Sequence, residues 1–162
     1  MNLTRATASL LAILLWTFLP TAAESPVNFS GTWELDKSRS VLPSRAPSAL
    51  PGDVMLVIDH AGDTVKIERR VKLMAVHRSL ASTYYTDGRE TSNPSPRGDM
   101  VMSRSHWTGK VLVTERWGQL KRMETTDVMQ LSEDGKVLVI DSTIRLAGQD
   151  SPERSHLVFV KK

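Results

Sequence analysis

From residue 28 onward apolar and polar positions alternate with a period of two almost everywhere, and no apolar spacing of three and four lasts long enough for an ordinary helix. The alternation predicts strands near 29–35, 53–60, 63–71, 79–86, 89–92, 99–107, 110–117, 122–132, 136–146 and 153–161, the fifth being short. Val, Ile, Thr, Tyr and Trp concentrate in these stretches, while Gly and Pro fall between them. Every second connection is a tight glycine turn: Ala61-Gly62-Asp63, Asp87-Gly88, Thr108-Gly109 and Glu133-Asp134-Gly135. The others, Asp36 to Gly52, Lys72 to Arg78, Ser92 to Gly98, Gly118 to Lys121 and Ala147 to Pro152, are mostly longer. In an up-and-down sheet alternate connections lie at opposite ends, so tight turns gather at one end and long loops at the other. The expected fold is all-β, an up-and-down antiparallel β-barrel of 8–10 strands, because a flat meander would leave two edges open to aggregation.

Parity assigns the inward faces. Leu138, Ile140, Ser142 and Ile144 oppose the more polar Val139, Asp141, Thr143 and Arg145. The same test turns Leu157 and Phe159 inward on the last strand, Val101, Ser103, Ser105 and Trp107 on the sixth, and Met129 and Leu131 with Thr125 and Asp127 on the eighth. An interior Asp127 requires a partner, since an unpaired carboxylate in apolar surroundings costs several kcal/mol. Polar groups at mid-strand imply a wet cavity, and ten strands enclose more volume than their own side chains readily fill. Tyr84, Trp107, Met129, Leu131, Leu157 and Phe159 are accordingly the interior candidates for ligand contact.

Residues 1–23 read as a signal peptide: Arg5 supplies the charge, Leu10 to Trp16 the apolar core, and Thr21-Ala22-Ala23 a small-residue cleavage site. The run is too short for a span, with Pro20 close behind it. This predicts a secreted or periplasmic product with no stable membrane insertion after cleavage and a single domain over 24–162. The chain has no cysteine, so its core must stabilise it without disulfides. The 21 basic and 18 acidic residues are interspersed, with no basic block of the kind that tracks phosphates, which argues against nucleic acid as a partner.

The run Phe29-Ser30-Gly31-Thr32-Trp33-Glu34-Leu35 resembles the F-x-G-x-W-x-L opening of the fatty-acid-binding proteins, within the lipocalin-like or calycin superfamily. Ten strands resemble that branch or nitrobindin more than the eight-stranded lipocalins. Tyr84 through Pro94, Leu131 through Leu138 and Leu157 through Lys161 are similar to segments of small exported bacterial lipocalin-like proteins of unassigned activity. The resemblance implies that Phe29, Gly31 and Trp33 form a barrel-closing motif, with Trp33 plugging one end. Fatty-acid-binding proteins end in R-x-Y, which holds a ligand carboxylate; Leu157 and Phe159 stand at those positions here, and neither side chain can hydrogen-bond an anion. That departure favours a neutral apolar ligand or a filled core.

Catalytic signatures are missing from the sequence: it has no G-x-S-x-G, no cysteine nucleophile, no phosphate-binding glycine loop and no compelling acid pair. His60, His77, His106 and His156 are scattered without metal-ligand spacing, so neither a metal nor a cofactor is expected. The expectation is a non-catalytic exported barrel that binds a small hydrophobic or amphipathic molecule, as a monomer or weak homo-oligomer. The competing expectation is a structural or protein-interaction module of the cell envelope with a filled barrel core. The loop from Asp36 to Gly52, interrupted by Pro43, Pro47 and Pro51, is a candidate lid over the mouth.

Overall fold

The structure, a computed structural model, describes residues 27–42, 53–118 and 122–162. The expected leader at 1–23 and most of the Asp36 to Gly52 loop lie outside the described residues. Ten antiparallel strands form one sheet: β1 (Gly31–Leu35), β2 (Asp53–Ala61), β3 (Thr64–Leu73), β4 (Val76–Tyr85), β5 (Asp87–Pro94), β6 (Met100–Thr108), β7 (Val111–Gly118), β8 (Met123–Leu131), β9 (Val137–Leu146) and β10 (Glu153–Lys161). Their spatial order is β4-β3-β2-β1-β10-β9-β8-β7-β6-β5, so β1 and β10 pair across the two chain ends and the sheet curls into a nearly closed barrel.

Two elements differ from the sequence reading. β5 is a full strand of eight residues, masked in the pattern by a register shift between Asp87 and Glu90. The Lys72 to Arg78 connection is tight, since β3 and β4 pair out to Leu73 and Val76 and Met74 turns the chain at φ 50°. A methionine in that left-handed region costs about 1 kcal/mol, and glycine, the usual turn signal, is missing there. By contrast Gly62 and Gly109, both at φ 59°, carry their hairpins without that cost.

The seam between β4 and β5 has no backbone ladder. Asn93 spans it: its carboxamide oxygen accepts from the Thr83 N–H at 2.7 Å, and its Nδ2 donates to the Thr83 carbonyl at 2.9 Å and to Ser103 Oγ at 3.2 Å. One side chain thus imitates the pairing a neighbouring strand would supply.

The core lies at the end of the tight turns. Phe29, Trp33, Leu112, Leu138 and Val65 are completely or almost completely buried there, together with Met129. Trp33 Nε1 donates to the Phe29 carbonyl at 2.9 Å, so the indole is buried with its one donor satisfied. Gly31, at φ 144°, has a conformation that favours glycine, and a Cβ there would sit 2.8 Å from Cε of Lys161. The neighbour that approaches Gly31 most closely is therefore the Lys161 stem, with Trp33 Nε1 next at 3.6 Å.

Candidate functional site

Above this core the barrel is hollow. A cavity of about 530 Å³ opens towards the end that carries the longer connections. Alternate positions of the strands supply its wall: Ile67 and Arg69 from β3, Leu80, Ser82 and Tyr84 from β4, Ser103 from β6, Arg116 from β7, Thr125 and Asp127 from β8, Ile140, Ser142 and Ile144 from β9, and Ser155, Leu157 and Phe159 from β10. Leu42, Pro94, Pro96, Gly118 and Met123 stand at its rim. The exposed large apolar residues Val41, Met74, Val76, Met100 and Met123 all belong to this end, giving the mouth an apolar border.

The six interior candidates divide between the two halves. Tyr84, Leu157 and Phe159 line the cavity. Trp107, Met129 and Leu131 also point inward but pack into or against the core at the closed end and are not part of the cavity wall. Parity gave each side chain its face but not its height along the barrel, which decides between plug and wall. Phe29, Gly31 and Trp33 lie at the closed end; Trp107 stacks on Phe29 with centroids 5.7 Å apart and on His60 at 6.0 Å. His60 is buried, and its Nδ1 accepts the Phe29 N–H at 3.3 Å. Burial holds its pKa below the ordinary histidine value, against the opposing effects of a backbone hydrogen bond at Gly62 and of Asp59.

The cavity also contains charges that the sequence reading only half anticipated. Asp127 does have partners: Oδ1 accepts from the Ser142 hydroxyl at 2.5 Å, and Oδ2 is paired with Arg116 Nη2 at 2.7 Å. Arg116 and Arg69 went unnoticed, although Leu112 and Thr114 facing in already place Arg116 on the inner face of β7. On β3 the inward set Val65, Ile67 and Val71 likewise places Arg69 inside. Burial lowers the Arg69 pKa most, Arg116 lowers it further, and Asp127 raises it. Arg69 nonetheless keeps accessible surface, which opens onto the cavity it lines.

The segment after β1 continues along the edge of β10, on the side where β1 pairs with it. Asp36 N–H donates to the Val158 carbonyl at 2.8 Å, and Val41 and His156 exchange two backbone hydrogen bonds of 2.7 Å. The His156 ring points outward and meets Asp141 at 2.6 Å. Of the candidate lid, therefore, residues 36–41 run along the wall, and Leu42 reaches the rim. Among the described residues no group of three or more His, Asp or Glu side chains could hold a metal ion.

Neither a protein-family model nor a curated protein matches the sequence. Solved structures do match the fold. The fluorescent protein UnaG superposes with a TM-score of 0.60 at 17% identity, over 83% of this chain and 97% of its own. Human cRBP IV gives 0.57 at 18% identity, over 85% and 100%. Fatty-acid-binding protein 1 of Echinococcus granulosus gives 0.55 at 15% identity, over 82% and 96%. With ten antiparallel strands in a nearly closed barrel, the chain has the fold of the fatty-acid-binding-protein type of calycin.

Proposed function

We propose that this protein is a non-catalytic barrel that takes a small apolar or amphipathic molecule into its interior. The observation that carries this reading is the cavity of about 530 Å³, in a barrel whose other half is filled by its own side chains. That volume is within the range of ordinary small-molecule sites, roughly 300–1,000 Å³. The mixed wall supports it too, because Leu56, Ile67, Ile140, Leu157 and Phe159 offer apolar contact while a few polar groups converge from several strands. The printed names of two neighbours, a fatty-acid-binding protein and cRBP IV, fit the same class of ligand. The leader at 1–23 supports an exported carrier acting outside the cytoplasm.

Titration with the neutral dye Nile red tests the proposal. Saturable uptake that competing apolar molecules displace is expected, and Leu157→Trp, which fills the cavity from its wall, abolishes it while the melting temperature holds. A folded wild-type protein that takes up no dye overturns the reading and returns the barrel to the class of filled modules.

A further inference from the structure

We propose that Arg69 and Arg116, with Asp127 as their one counter-charge, form a recognition site for a single anionic head group on an amphipathic ligand whose apolar body fills the rest of the cavity. This rests on the ligand-binding reading above and adds to it the charge and position of the head group. Among the described residues that line the cavity, two guanidinium groups face one carboxylate, an excess of one positive charge in a largely apolar interior. Both oxygens of that carboxylate are already engaged, Oδ1 by Ser142 and Oδ2 by Arg116.

Arg69 is left over. It forms no hydrogen bond or ion pair with any described residue, and Nε of Arg116 is buried without a hydrogen-bond partner. An arginine cannot lose its proton in a protein, so the excess charge is permanent, and Arg69 keeps accessible surface on the cavity side where an anion can meet it. A guanidinium presents a planar fork of donors that fits a carboxylate or a comparable oxyanion in two parallel bonds. The head group is therefore held from β3 and β7, on the opposite side of the sheet order from the last strand, where Leu157 and Phe159 contribute only apolar contact. The same geometry disfavours a purely neutral ligand, which would enclose the Arg69 charge without a partner.

Paired titrations with dansyl-undecanoic acid and its methyl ester, which share body and fluorophore and differ in one charge, test this. The acid is expected to bind at least about tenfold more tightly than the ester, the factor that one charge-assisted hydrogen bond supplies. Arg69→Gln collapses the acid-over-ester preference to about one, because it removes both the partner of the acid and the charge that the ester encloses unpaired. Asp127→Asn, which removes the counter-charge at nearly constant shape, raises the acid-over-ester preference severalfold. Equal wild-type affinities for acid and ester overturn the anion site while leaving the apolar cavity standing. If Arg69→Gln weakens both probes equally with the melting temperature intact, Arg69 shapes the wall and the site is overturned. Binding of neither probe overturns this inference and the ligand-binding reading together.

Discussion

The two halves of the barrel are built by the same strands and the same alternation, yet one is solid and the other hollow. At the tight-turn end most inward positions carry a large apolar or aromatic group, Phe29, Trp33, Val65, Trp107, Leu112, Met129 and Leu138 among them, with the buried Ser105 and Thr114 satisfied by each other's hydroxyls at 2.8 Å. At the mouth end the same strands continue inward with Arg69, Ser82, Ser103, Arg116, Thr125, Ser142 and Ser155. Short hydroxyl side chains leave volume, and charged ones keep what remains polar. The lesson is that stability and binding are separated by height along each strand. The closed end holds the fold together through burial, and the mouth end is free to be under-packed because the fold does not depend on it.

The largest effect belongs to the plug. Trp33→Ala removes a fully buried ring whose donor is satisfied, and it should lower unfolding stability by about 3–5 kcal/mol. Urea denaturation measures this directly, and a midpoint equal to wild type breaks the comparison at once. Identical chemistry in the two halves sharpens it. Leu138→Ala, at a completely buried position, should cost about 2–5 kcal/mol, whereas Leu157→Ala, on the wall of a space already open, should cost only about 1–2 kcal/mol. Equal losses would mean that the mouth half is as tightly packed as the plug.

Much of this division was readable in the sequence, and what was not has a specific cause. Period-two alternation yields the inner face of β6, β8, β9 and β10 residue by residue, including the inward Asp127 and its need for a partner. Turn chemistry yields which end is closed. Three things stayed hidden. Height along the barrel depends on strand tilt and stagger, so Trp107 and Met129 could not be told apart from Tyr84 and Leu157 as plug or wall. β5 is interrupted by a register shift and bordered by a seam without a ladder, so its alternation breaks where pairing resumes. Arg69 and Arg116 obey the parity of their strands, but each is the polar exception in an apolar set. Such an exception carries more functional information than the residues that follow the pattern.

A pH dependence follows from the plug alone. His60 is neutral in the fold, with a pKa below the ordinary 6.5 because the ring is buried. The unfolded chain therefore binds the proton more readily, and this contribution to stability is complete above about pH 6.5 and is lost as pH falls through the lower folded value. The urea midpoint of the wild type should decline on acidification through this range. His60→Asn removes the titration, so the wild-type-minus-variant difference should shrink as pH falls, and a difference independent of pH would place His60 in contact with solvent.

The smallest effect is expected next to the cavity arginine but on the other face of the same strand. Glu68 accepts from Arg70 Nη2 and from Ser79 Oγ, each at 2.6 Å, and these bonds, Arg70's first, hold its pKa at about 2 against the usual 4.5. The group lies at the protein surface, so water and salt screen the interaction and the depressed pKa translates into little stability. Glu68→Gln should lower the neutral-pH melting temperature only slightly and leave the affinity for both dansyl probes unchanged. What the pair does contribute is present above pH 4.5 and disappears as pH falls towards 2, so wild type and variant should converge there. Arg69→Gln, one position along the chain, should instead abolish the preference for the acid probe while Glu68→Gln does not alter it. If the outer substitution changed that preference as much as the inner one, the wall of the barrel would not separate the two faces, and the assignment of the cavity charge to Arg69 would fail with it.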